Sequence, residues 1–157
     1  MANQHFSPNA PTLPKPIERD FKGTKVAFTR DLGICTVEPE VADICAGAAE
    51  SMGTLGCAVD QASPDVSDAP HIFHVLRAAM TAAGLKADYE QHRSQMKDTV
   101  VWNIEQGLGL SSAELIAAEV ARTQLYQRVS SFMAEYEFLI LPAAQVAPFD
   151  IKQPWVK

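Results

Sequence analysis

The chain has 157 residues, enough for one domain with a core of its own. With 47% hydrophobic and 20% charged residues it falls in the ordinary globular range, which excludes an intrinsically disordered chain. A net charge of −6 without a Lys/Arg cluster argues against nucleic acid or an anionic membrane surface as a partner, and no apolar run is long enough to span a bilayer.

The N-terminus lacks a charged-then-apolar leader, so the cytoplasm is the expected compartment. Pro8, Pro11, Pro14 and Pro16 keep the first segment extended, and residues 1–21 read as a Pro-rich lead-in. The next stretch, 22–63, has the pattern strand, loop, helix, tight turn, strand. Lys25–Arg30 is short, β-branched and aromatic, and Gly23 leads into it. Pro39 suits the first helical position, and Glu38 and Glu40 put negative charge at the positive end of the helix dipole. Val41, Ile44, Cys45, Ala48, Ala49, Met52 and Leu55 form the expected apolar stripe, and Gly56 suits the left-handed residue just past the helix. Cys57–Asp60 reads as the second strand, ended before Pro64. Two strands joined by a helix should be parallel and need cover on both faces.

The loop Asp31–Val37 leaves the carboxyl end of the first strand, where ligands bind in open α/β sheets. Gly33 alone is no phosphate-binding fingerprint. The three cysteines are odd in number and contain no C-x-x-C pair. Cys45 and Cys57 fall at apolar positions and read as buried thiols. Cys35 is the loop cysteine, with no apparent base beside it.

A second helix is expected from Asp68 and Pro70, with the stripe Ile72, Phe73, Leu76, Ala79, Met80 and Ala83, stopping at Gly84. His71 and His74 lie one turn apart on it, but no third ligand has a useful spacing, so no metal site is read here. Asp60, Asp65 and Asp68 do not fit a calcium loop. Lys86–Met96 is a polar helical connector. Asp98–Leu108 reads as a helix with Val100, Val101, Ile104 and Leu108 inward, broken by Gly107 and Gly109. Ser111-Ser112-Ala113-Glu114 is a capping box that opens a long helix. Its stripe runs through Ala113, Ala117, Val120, Ala121, Leu125, Val129, Phe132, Met133 and Tyr136, flanked by Arg122 and Arg128 as solvated or surface-paired cations. Phe138–Leu141 then reads as a buried central strand. The irregular loop after Pro142 leaves the end of that strand, and no further strand follows it before Lys157 to close this edge.

Several segments together resemble the amidase signature enzymes: FKGTKVAFTRDLG (21–33), VEPEVADIC (37–45), GTLGCAVDQASPD (53–65) and the run from Gly107 to Asp150 that ends in LPAAQVAPFD. Their order and spacing cover the chain from Pro16 to Pro154. Glu137, where an aspartate is usual, and Ala143, where a small hydroxyl residue is common, are minor departures. The resemblance implies hydrolysis of a carboxylic amide, or transfer of its ammonia, through a serine acyl-enzyme, with a small-molecule amide as substrate and no cofactor. That chemistry uses a lysine, a bridging serine and a nucleophilic serine in a Gly/Ser-rich loop, because a serine hydroxyl needs a base and an oxyanion needs amides aimed at it.

All three of those residues belong upstream of the matching portion, and the Gly/Ser-rich loop is absent from this sequence. Ser111 and Ser112 stand where the family starts a helix, and the capping box accounts for them. There is no G-x-S-x-G elbow either. The resemblance therefore implies an α/β chain that is a middle-to-C-terminal section of the fold: a few-stranded, largely parallel sheet with several packed helices. Residues 22–157 are expected to be a partial amidase domain, divided into a βαβ unit (22–63), a helical section (68–136) and a buried strand with its loop (138–157). No catalytic residue is assigned. Gln145, Val146, Pro148 and Phe149 are the expected substrate-pocket residues, and a plain edge loop is the other reading of the same segment. A non-catalytic binding or assembly module, or one half of a split amidase that docks to a complementing chain, are the alternatives.

Overall fold

A computed structural model of the chain describes residues 19–153. The Pro-rich lead-in before Arg19 and the last four residues lie outside this range. The described elements are β1 (Lys25–Phe28), α1 (Pro39–Thr54), β2 (Ala58–Gln61), α2 (Ala69–His92), a 3-10 turn (Arg93–Gln95), α3 (Asp98–Leu108), α4 (Ser112–Glu135) and β3 (Phe138–Ile140).

The three strands form one sheet in the order β2-β1-β3, and both pairings are parallel. This is the few-stranded parallel sheet expected of an α/β chain. Val26 pairs with Val59 on one side and Phe138 on the other. Loop amides lengthen the ladder at both ends: Ala58 N donates to Thr24 O at 2.9 Å, Ala62 N to Phe28 O at 3.1 Å, and Thr29 N to Ile140 O at 3.1 Å. β1 is the central strand, and Val26 and Ala27 are fully buried.

Among the described strands Phe138–Leu141 is therefore not the central one. β3 lies at an edge of the described sheet, and Phe138 is exposed. An unbroken apolar run identifies a strand meant for burial but does not give its place in the order.

The helices begin where the sequence indicates. Pro39 opens α1, and Gly56, with φ +90°, follows its last turn. α3 has the expected bounds. At α4 the capping box is complete: Glu114 N donates to Ser111 Oγ at 3.2 Å, and Ser111 N donates to Glu114 Oε2 at 2.9 Å.

The inward faces differ from the expected stripes. On α1 the buried residues are Ala42 and Ala49, whereas Ile44 is 66% exposed and Leu55 lies open. On α2 the buried line is Ile72, Val75, Ala78 and Ala82, with Phe73 outside and Met80 75% exposed. α4 buries only Ala118, and Ile116, Val120 and Tyr126 face solvent. Each of these helices carries apolar residues on more than one face. Periodicity then cannot say which face meets the neighbours present here.

One glycine expected to stop a helix does not. α2 runs through Gly84 to His92, and open space surrounds that glycine. The polar segment after it is held to α3 by Tyr89 and Arg93, which both bond Glu105 Oε1 at 2.8 Å. Gly107 lies inside α3, where the backbone of α2 at Ala78 comes so close that no side chain fits. Ile104 is fully buried one turn earlier on the same helix. α4 is tied to the start of α2 by Arg128, which pairs with Asp68 and donates through Nε to Asp65 O at 3.1 Å. Asp68 thus anchors Arg128 and makes no side-chain capping bond to α2.

Candidate functional site

The loops leaving the carboxyl ends of β1 and β3 meet in a cleft of about 150 Å3. The β1 loop is a tight turn. Thr29, buried at the strand end, accepts Leu32 N through Oγ1 at 3.0 Å. Leu32 and Gly33 both take left-handed backbone, with φ 56° and 70°. Asp31 Oδ1 accepts Gly33 N at 2.8 Å, and Asp31 O accepts Cys35 N at 3.1 Å. Left-handed backbone is ordinary for Gly33 but strained for Leu32, and such strain persists only where the surroundings fix it.

The β3 loop is stitched to the segment that leads into α1. Gln145 Nε2 donates to Thr36 O at 3.0 Å, and Glu38 N donates to Gln145 O at 2.8 Å. Glu38 Oε2 in turn accepts Ala147 N at 3.0 Å. The glutamate placed at the helix start for its charge thus also joins the two loops. Leu32, Cys35, Val37, Leu141 and Pro142 give the cleft an apolar lining, and Gln145 adds an amide at its edge. With its Nε2 committed to Thr36, the Gln145 amide has its oxygen left to accept. Arg30, at the rim, pairs with Asp43 on α1.

Of the four residues expected to form a pocket, Gln145 lines this cleft. Val146 is half-buried, Pro148 and Phe149 are exposed, and none of these three belongs to the lining. The rule that ligands meet strand carboxyl ends points from sequence to the loop Asp31–Val37, which supplies Leu32, Cys35 and Val37. That Leu141 and Pro142 face the same cleft requires knowing that β1 and β3 are neighbours. Cys35 lines the cleft as a half-buried free thiol, and Cys45 is half-buried rather than fully covered.

His71 and His74 are both exposed on α2. His74 Nδ1 bonds Pro70 O at 2.6 Å within its own helix. Among the described residues no three His, Cys, Asp or Glu side chains come together to hold a metal. Ser111 Oγ both accepts from Glu114 N and donates to Glu114 Oε2 at 2.7 Å, so its proton and a lone pair are committed to the cap. Those bonds, the hydroxyl's first, hold the Glu114 carboxyl below its ordinary range.

Three comparisons with known proteins agree with this architecture. The sequence model of the amidase family matches residues 1–156. An acylamidase of Rhodococcus erythropolis is 24% identical over 139 residues, which is 85% of this chain and 28% of that protein. The crystal structure of a bacterial aryl acylamidase of the amidase signature family matches with a TM-score of 0.72 at 20% identity, covering 83% of this chain and 29% of the other. The chain thus spans less than a third of the length of these relatives. With the parallel sheet, the helix order and the family match in agreement, the chain belongs to the amidase family and carries a section of the amidase signature fold.

Proposed function

We propose that residues 22–157 form one wall of an enzyme that hydrolyses carboxylic amide C–N bonds through a serine acyl-enzyme, and that this chain by itself does not turn over. The reacting serines and the lysine would come from polypeptide outside these residues. The cleft at the ends of β1 and β3 would contribute part of the substrate funnel. There Gln145 can receive a hydrogen bond from the amide N–H, and Leu32, Val37 and Leu141 cover the apolar part of the substrate.

The observation that carries this reading is α4. A long helix with a complete cap buries one alanine and leaves Ile116, Val120 and Tyr126 in water. Apolar residues on several faces are the pattern of a helix covered from several sides. Ile44 on α1 and Phe138 on the edge strand repeat it. The three free thiols fit a reducing compartment, and we place the protein in the cytoplasm.

The test is amide hydrolysis by the purified chain, with acetamide and acetanilide as substrates. No sustained release of ammonia or aniline is expected. Turnover that disappears on Ser111→Ala or Ser112→Ala would overturn the reading of those serines as a helix cap.

A second reading, a non-catalytic binding or assembly module, draws on the tight seating of α3 on α2 around Ile104 and Gly107. Size exclusion with a dye for exposed apolar surface separates the two. Strong dye binding and self-association favour the wall of a larger enzyme, and a compact species without dye binding favours the module. A split amidase requires a further chain bearing the Gly/Ser-rich loop, and amide turnover appearing only on mixing the two chains would establish it.

A further inference from the structure

α2 packs against α3 and α4, and its buried line is Ile72, Val75, Ala78 and Ala82. Its other side stands open. Phe73, Met80, Ala83 and Ala87 recur there at steps of three, four and seven residues and form an exposed apolar stripe, with Phe73 57% and Met80 75% exposed.

Two charges of opposite sign border this stripe. The Arg77 guanidinium lies 5.0 Å from the centre of the Phe73 ring, and Asp88 is exposed further along the helix. The other five described arginines each pair with a carboxylate: Arg19 with Glu137, Arg30 with Asp43, Arg93 with Glu105, Arg122 with Glu119 and Arg128 with Asp68. Among the described residues neither Arg77 nor Asp88 has an ion pair. They cannot pair with each other within one chain. Eleven residues make three helical turns, so the two point the same way but stand about 16 Å apart along the axis.

That arrangement is self-complementary. If a second α2 lies antiparallel across the first, a two-fold axis near Ala82 and Ala83 sets Arg77 of each copy against Asp88 of the other. Both pairs form at once, as an isologous contact requires. Met80 and Ala83 then flank the axis, and Phe73 covers the last turn of the opposite helix. We propose that two copies of this chain associate through the exposed side of α2, antiparallel, with reciprocal Arg77–Asp88 pairs fixing the register. One helix pair is a small interface, below about 1,200 Å2, so the dimer is a weak one. The contact uses neither the strand-end cleft nor the open faces of α1 and α4, and it stands apart from the reading of the chain as an amidase wall.

Sedimentation velocity of the full chain over a concentration series reads the association. The mass should rise from one chain to two and stop there, because a two-fold contact closes. Arg77→Asp and Asp88→Arg each set like charges across the axis and should raise the dimer Kd about tenfold or more. The double variant restores both pairs with the signs exchanged and should return the Kd to within about threefold of the original. A single-chain mass at every concentration would overturn the proposal, and so would growth past two copies, which marks unspecific contact between apolar faces. Single swaps that leave the Kd unchanged would overturn it too, as would a double variant that keeps its far-UV circular dichroism and stays as weak as the singles. Met80→Glu changes an exposed side chain beside the axis and decides the matter if the charge variants do not fold: it should also weaken the dimer, and an unchanged Kd would count against the contact.

Discussion

Gly107→Ala isolates the contact on which the helical layer is built. A Cβ at Gly107 would sit 2.1 Å from Ala78 O, 2.6 Å from Ala78 C and 2.7 Å from Ala82 Cβ. Atoms in contact rest roughly 3.5 Å apart, so α3 must retreat from α2 by on the order of 1 Å. The obstacle is backbone and cannot rotate away. Overpacking of this kind costs about 3 kcal/mol, the upper end of its usual range. Alanine is the better helix former by at most about 1 kcal/mol, which offsets part of this and leaves a net loss of about 2 kcal/mol. For a chain of this size the loss lowers Tm by about 4–8 °C. Gly84→Ala is the matched control: it makes the same chemical change in α2 with no atom within 4 Å of the new carbon. It should stabilise the chain by up to about 1 kcal/mol. Urea and thermal unfolding followed by far-UV circular dichroism measure both variants. Equal shifts for the two, or a gain at Gly107, would refute the reasoning.

Gly56→Ala forces an L residue to φ +90° and brings its Cβ to 3.2 Å from Lys22 Cα, so a loss of about 1–2 kcal/mol is expected in the same unfolding assay. Ser111→Ala removes the N-cap of α4 and should cost about 1 kcal/mol, whereas Ser111→Asp, which keeps an acceptor, should recover most of it. Arg128→Met should destabilise by up to about 1 kcal/mol, and a double-mutant cycle with Asp68→Asn should show that the two losses are not additive. The carboxyls of Glu105, Glu114 and Glu137 are held low by Arg93, Ser111 and Arg19 respectively, and that of Asp65 chiefly by the Ser67 hydroxyl. A depressed carboxyl contributes stability that is present above its unfolded value of about 4 and is lost as the pH falls through the folded value. The urea midpoint should therefore hold steady from pH 8 to 6 and fall below about pH 4. A flat profile down to pH 2.5 would contradict the assignment.

Local chemistry made much of this chain legible without coordinates. Pro39 and Gly56 bracket α1, Ser111 and Glu114 open α4, and the short β-branched run at Lys25 starts the sheet, because each rests on contacts within a few residues. The order of the sheet was not legible. A run such as Phe138–Leu141 records that a strand is meant to be buried, but strand neighbours are chosen by the whole chain, and only the pairing of β3 with β1 brings Leu32, Cys35, Leu141 and Gln145 to one cleft. The same limit applies to Gly107, whose sequence context reads as a helix breaker and whose role is fixed by the Ala78 backbone 29 residues away. Helices apolar on several faces hid which side faces inward, since periodicity measures asymmetry and α4 has little of it. The sequence by itself determined the succession of strands and helices along the chain, the starts of α1 and α4, and the family. The tertiary structure alone decided which strand is central, which helix faces stay open and which loops meet, because these depend on contacts between residues far apart in the chain.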